Sequence, residues 1–340
     1  MKVRLKKWYV AFIEEDSRSF LGNIFYLFLY LLSLVYRLVV TIRNFLYNKN
    51  LLKSYYSGSS FIIGVGNISW AGTGKTPLCL WLYRQFGLKI KSAILRRGYG
   101  QDEEKLIKEE CDQVFSSPNR MNLVKGLEKR YDLFILDDAF QYRKLKKDLE
   151  IVIMGQREFD KKINLIPVSF FREPFKNIKR ADFLIINYKN QANREKIKRK
   201  IAQAGLEPEV YFAGYRISGL EGLDGKRYDF NQLRNKRIAA FAAIGYPQGF
   251  FGLLKENGFK LEREIRYPDH YNLSNCEYSK LEQKLLNSGI NSLAITRKDK
   301  YHLPQGRKKI DIFMVDVKLE IENKKRFLEA IVKKINKKLN

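Results

Sequence analysis

Residues 65–78 read VGNISWAGTGKTPL, and the way this stretch is read decides the fold. Its core ends in Thr73-Gly74-Lys75-Thr76, the close of a phosphate-binding loop of the form G-x-x-x-x-G-K-[ST]. The first glycine of that form would fall at position 69, which is Ser69. The stretch follows the apolar run FIIGV (61–65) and precedes the amphipathic PLCLWLYRQF (77–86), so it sits between a predicted strand and a predicted helix. In such a loop the backbone N–H groups and the helix N-terminus surround phosphate oxygens. Lys75 then neutralises the β/γ oxygens, and the Thr76 hydroxyl suits Mg²⁺. Gly72 and Gly74 keep the backbone open to close approach. Ser69 fits the first position provided its φ is negative, and Pro77 is tolerated in a helix's first turn. The candidate nucleotide-binding residues are therefore Ser69, Trp70, Ala71, Gly72, Thr73, Gly74, Lys75 and Thr76.

Outward from the loop, the runs SAILRR (92–97), LFILDD (133–138), IVIMG (151–155) and DFLIINY (182–188) are short and rich in β-branched and aromatic residues. Helix-length intervals separate several of them, the pattern of a mainly parallel sheet in an α/β layer architecture. LFILDD ends in Asp137 and Asp138, acids at a strand end that can hold Mg²⁺ directly or through water. A second series follows: RIAAFAAIG (237–245), LEREIRY (261–267), NSLAITR (291–297) and IDIFMVDV (310–317). Helical patterns lie at 247–257 and 274–288, and a Lys-rich helix closes the series from 322. The expected organisation is an N-terminal helical segment (1–55), a P-loop domain (56–213), a glycine-containing connection (214–236) and a smaller α/β domain (237–340).

Residues 20–36 carry no charge, and apolar character continues through LVVTI after Arg37. Lys2, Arg4, Lys6 and Lys7 precede the stretch, and Arg37, Arg43 and Lys49 lie within or after its apolar part. Aromatics flank it at Trp8, Tyr9, Phe12, Phe45, Tyr47 and Tyr55. Its length is borderline for a span, and basic flanks on both sides favour a helix lying in one leaflet. Glu14-Glu15-Asp16 interrupts the approach and no small-residue cleavage site follows, against a cleaved signal peptide. The chain of 340 residues carries 64 Lys+Arg against 37 Asp+Glu, a formal net charge of +27. That excess predicts a polyanionic partner: nucleic acid, an anionic membrane surface or a phosphorylated substrate. Three scattered cysteines and two histidines argue against a disulfide framework and a multi-histidine metal centre and fit a reducing cytosolic setting.

Seven stretches then fall in one order: the loop, RRGYG (96–100), DDAFQYRKLKKDLEIV (137–152), FREP (171–174), AFAAIGYPQGFF (240–251), YPDHY (267–271) and TRKD (296–299). In this order the chain resembles the tetraacyldisaccharide 4'-kinase (lipid A 4'-kinase) family over most of its length. That family also begins its phosphate loop with a hydroxyl residue. The resemblance implies ATP- and Mg²⁺-dependent phosphorylation of the 4'-hydroxyl of an acylated glucosamine disaccharide 1-phosphate, at a cleft between two α/β domains. It implies work at the cytoplasmic face of the inner membrane, with the N-terminal helix reaching the lipid. Carried over position by position, Lys75 and Thr76 serve ATP and Mg²⁺, and Asp137 and Asp138 form the acidic pair. Within QDEE (101–104), Asp102 is the candidate base. His270 of the Asp269-His270 pair orients it, and Arg172 and Glu173 belong to the site. The chain departs from the family pattern at Ala71 and Ala139 (glycine), Tyr142 (histidine), Tyr246 (asparagine) and Arg297 (glutamate), and its stretch after RGYG is short. The competing reading is a membrane-associated regulatory P-loop ATPase or GTPase without a lipid-sugar acceptor. No groove-reading or base-stacking motif supports a nucleic-acid partner, and no obligate protein partner is inferred.

Overall fold

The computed structural model describes residues 9, 12–13, 19–70, 72–98, 101–160, 164–187, 194–234, 236–306 and 308–339. The chain packs as two units. The first comprises Met1–Tyr99, Glu110–Gly214 and Ile321–Asn340; the second comprises Gly100–Glu109 and Tyr215–Glu320.

In the first unit the apolar runs form β1 (Phe61–Gly66), β2 (Ser92–Arg96), β3 (Val114–Ser116), β4 (Leu133–Leu136), β5 (Leu149–Gly155), β6 (Phe183–Asn187) and β7 (Glu209–Gly222). Their order is β7-β6-β5-β1-β4-β2-β3, and every pairing is parallel. β1, β2 and β4 are buried along their whole length, which is why β1 and β4 read as unbroken runs without polar side chains and β2 has polar residues only at its ends, Ser92 and Arg96. β1 lies between β4 and β5, with Phe61 opposite Leu133 and Val65 opposite Ile151. The chain moves from β1 to one side through β2, β3 and β4, then to the other through β5. The C-terminal end of β1 is therefore a topological switch point, where open α/β sheets bind ligands.

The 29-residue helix Phe20–Asn48 begins on Ser19, whose side chain accepts from the Gly22 amide at 3.2 Å. Its buried stripe is Leu29, Ser33, Val40 and Asn44, one narrow face at heptad-like spacing. Much of the rest is apolar and exposed, including Phe28, Leu31, Leu34, Val35, Leu38 and Val39. The helix Lys324–Leu339 packs Phe327, Ile331 and Ile335 into the first unit. This differs from the expected 237–340 domain: the closing helix belongs with the phosphate-loop unit, because its apolar face covers Trp81 and the Phe183–Tyr211 pair.

In the second unit, β8 (Arg227–Tyr228) pairs antiparallel with the end of β7. The stretch expected as a connection is thus ordered strand and turn. β9 (Ile238–Ala242) pairs in parallel with β10 (Leu261–Arg266) and β11 (Ser292–Thr296), and β11 pairs with β12 (Asp311–Ile321). The helices Pro247–Glu256 and Asn275–Leu286 cover this sheet, the second entered through a Ser274/Glu277 capping box.

Candidate active site

The loop after β1 has the geometry its sequence requires. Gly74 caps the helix Lys75–Phe86 at φ 98°, a left-handed conformation in which a Cβ would be strained. Ser69 is fully buried, and it is absent from the described non-glycine residues with positive φ. It pairs with Phe171 in an antiparallel bridge instead. A serine meets the conformational demand here, so the altered first position is no defect. Ala71 lies outside the described residues. Asn67, fully buried at the end of β1, ties the loop together: its amide donates to Thr73 Oγ1 at 3.0 Å and to Ser69 Oγ at 3.4 Å.

The acid pair arrives at the same sheet edge because β1 and β4 are parallel neighbours. Thr76 Oγ1 donates to Asp137 Oδ2 at 3.0 Å. Arg96, at the end of β2, approaches the same oxygen at 3.6 Å. Asp138 turns the other way at φ 51°, and Arg172 clasps it with two bonds, Nη1 to Oδ2 at 3.1 Å and Nη2 to Oδ1 at 2.8 Å. Lys75 Nζ lies 3.6 Å from Asp138 Oδ1. Burial alone would raise the Asp138 pKa, but Arg172, Lys75 and Arg120 hold it well below the usual carboxylate range. Asp138 is an anion throughout the neutral range, poised against a lysine that a phosphate chain would recruit.

Three residues here were not singled out in the sequence. Arg120 is buried and donates to the Asp137 and Asp138 carbonyls; burial lowers its pKa. Asn67 supports both the loop and Arg172. Glu158 is buried after β5. Burial pushes its carboxyl up from 4.5 to about 7, against hydrogen bonds from Ser69 and the Gly155 amide and the charges of Lys75 and Arg172. None sits in a recognised motif, and each has a partner from a distant part of the chain: Arg120 reaches the acid pair, Asn67 receives Arg172, and Glu158 receives Ser69. Position 67 beside the loop was the one available signal.

Glu173 is placed differently from its neighbour Arg172. Its carboxylate is fully enclosed by Arg43 (3.0 Å), Asn44 (3.1 Å), Asn177 (2.8 Å) and Arg180 (3.1 Å). In the second unit, Asp102 falls on the helix Gln101–Lys108, but its side chain lies outside the described residues. His270 adopts φ 63°, with Nε2 3.6 Å from Asp269 Oδ2. Asp269 also receives Lys298 at 3.0 Å. The TRKD turn is architectural: buried Asp299 accepts from the Ala243 amide at 2.8 Å and from Thr296 Oγ1 at 2.6 Å. Arg297 is held among Asp316, Glu221 and Glu109, an acidic setting that suits the arginine found there.

A family model described as tetraacyldisaccharide-1-P 4'-kinase matches residues 25–110 and 101–336. Among curated relatives, the tetraacyldisaccharide 4'-kinase of Chlorobium limicola is 31% identical over 303 residues, covering 79% of this chain and 84% of its own. That of Psychromonas ingrahamii is 30% identical over 292 residues, covering 79% and 83%. That of Halothermothrix orenii is 26% identical across 88% of both chains. A solved structure of LpxK from Aquifex aeolicus in complex with ATP superposes with a TM-score of 0.67 at 24% identity, covering 89% of this chain and 97% of that one. At that identity the likeness speaks for the fold.

Proposed function

Because the chain belongs to the tetraacyldisaccharide-1-P 4'-kinase family, we propose that it transfers the γ-phosphoryl group of ATP to the 4'-hydroxyl of a tetraacylated glucosamine disaccharide 1-phosphate, giving lipid IVA in lipid A biosynthesis. The observation that carries this reading is the Lys75–Asp138–Arg172 and Thr76–Asp137 constellation at the switch point of a parallel sheet.

The loop amides from 69 to 76 and Lys75 would hold the triphosphate. Thr76 Oγ1 and the Asp137 and Asp138 carboxylates are hard oxygen donors, a set that fits Mg²⁺. When bound, the ion neutralises charge developing on the phosphate oxygens. Phosphoryl transfer depends chiefly on positioning and electrostatic preorganisation. The chain supplies these through the bidentate Arg172 clasp and the Arg120 bonds beneath the acid pair. On the acceptor side Asp102 takes the hydroxyl proton and His270 orients it, roles that rest on the family resemblance at those positions.

The exposed apolar face of the helix Phe20–Asn48 rests on the cytoplasmic face of the inner membrane. The polar contacts of the same helix support lying over spanning: Ser33 Oγ donates to the Leu165 carbonyl and Asn44 to Glu173. A transbilayer path for residues 33–44 would carry those partners into hydrocarbon.

The test is incubation of the purified protein with ATP, Mg²⁺ and tetraacyldisaccharide 1-phosphate in detergent micelles. A doubly phosphorylated product is expected, and Lys75→Ala abolishes it. Nucleotide hydrolysis without transfer by the folded wild type would move the assignment to a regulatory NTPase.

A further inference from the structure

The segment 170–173 makes two sets of contacts from adjacent residues. On one side it runs along the entry to the phosphate loop: the Trp70 amide donates to the Phe170 carbonyl at 3.0 Å, and the Arg172 amide to the Ile68 carbonyl at 2.7 Å. From there the Arg172 guanidinium reaches Asp138 and Asn67. On the other side the segment is bound to the N-terminal helix. Tyr36 Oη donates to the Arg172 carbonyl at 3.0 Å, while Arg43 and Asn44 hold the Glu173 carboxylate.

We propose that the N-terminal helix is a positioning element of the phosphoryl-transfer site, with Tyr36, Arg43 and Asn44 acting through Glu173 and the Arg172 backbone to fix the Arg172 guanidinium on Asp138. The proposal rests on the kinase reading above. Glu173 is 0% exposed, and a buried carboxylate separated from its cationic partners is strongly disfavoured. It must therefore stay with Arg43 and Arg180, and a shift of the helix carries residue 173 with it. Residue 172 follows, because its carbonyl is tied to the same helix. Displacement by an ångström at the reacting centre is enough to slow transfer severely. Glu173, Tyr36, Arg43 and Asn44 are positioning residues: among the described residues, the side-chain hydrogen bonds and ion pairs of these four go to the Arg172 backbone, to one another and to neighbours such as Asn177 and Arg180, not to the loop at 69–76.

The experiment uses the full chain with Tyr36→Phe and Asn44→Ala combined, and separately Glu173→Gln. Transfer rate, ATP KM, thermal midpoint and amide hydrogen exchange of segments 65–76 and 134–141 are measured well below the midpoint. In the double variant kcat is expected to fall about tenfold or more, with ATP KM within about twofold, and exchange in both segments to quicken. Wild-type kcat and exchange alongside a lowered midpoint would overturn the proposal, because a merely structural anchor behaves that way. If Glu173→Gln does not fold, the double variant decides. A wild type that transfers nothing to the acceptor sinks the kinase reading alone, and the exchange measurement still settles the coupling.

Discussion

Tyr142 stands where the resembled family carries histidine, and its surroundings show what it does there. Its hydroxyl donates to Asn119 Oδ1 at 3.2 Å and accepts from the Met121 amide at 3.1 Å. Its ring lies under the Arg120 guanidinium, 4.3 Å to the centroid. Arg120 in turn bonds the carbonyls of the acid pair. Tyr142→Phe, which keeps the ring, should cost roughly 0.5–1.5 kcal/mol in a denaturant titration and leave transfer nearly intact. Tyr142→Ala should lower the transfer rate as well. Asp138→Asn breaks the charged clasp with Arg172 and should cut kcat about 100-fold or more in a steady-state assay. Glu158 gives a pH signature. Its folded pKa of about 7 lies above its ordinary 4.5, so between those values the folded chain holds a proton that the unfolded chain has lost. Stability therefore falls as pH rises from 4.5 to 7, by on the order of 3 kcal/mol, and is flat in this respect above 7. In Glu158→Gln that slope should vanish from midpoints measured across the window. At this scale the loop and the acid pair were legible because a local string carries them. Arg120, Asn67 and Glu158 were not, because each also depends on a partner distant in the chain, namely the acid pair, Arg172 and Ser69.

Among the elements, the strands were the most legible. β1, β2 and β4 are buried throughout, so their central residues are apolar runs that need no context. The N-terminal helix was legible as apolar and flanked by basic residues; its narrow inward stripe at Leu29, Ser33, Val40 and Asn44 was not. Two of those four residues are polar, and their partners Leu165 and Glu173 lie more than a hundred positions away. The outward face makes its own prediction. Leu34→Asp with Leu38→Asp, both at exposed positions, should reduce co-sedimentation with anionic vesicles at least tenfold, while the inward stripe and the thermal midpoint stay unchanged. Raising salt should weaken the wild-type association too, because the basic flanks contribute through screened attraction.

For the molecule as a whole, a net charge of +27 had several readings in the sequence, and family membership favours a phosphorylated lipid substrate among them. The division into units was only partly legible. Nothing in the sequence signalled the return of 321–340 to the first unit. A Lys-rich amphipathic helix announces one apolar face without saying which sheet receives it. Here Lys338 Nζ bonds Asp148 Oδ2 and the Ser57 and Ser60 carbonyls, each at 2.7 Å, and Phe327 fills the space between Trp81 and Tyr211. Phe327→Ala should destabilise the phosphate-loop unit by about 3–5 kcal/mol, read as a lower midpoint for the transition that ATP protects.

That returning helix also imposes an order in time. Residues 215–320, the greater part of the second unit, separate it from the rest of the first in the chain. At synthesis speeds of about 5–20 residues per second, the phosphate loop and its sheet emerge from the ribosome roughly 5–20 s before the helix that covers them. Through that interval the nascent sheet has its loop and acid pair but an uncovered apolar flank around Trp81. It is then open to chaperones and to aggregation, and it becomes a finished nucleotide-binding body only once the segment that follows the second unit has been made.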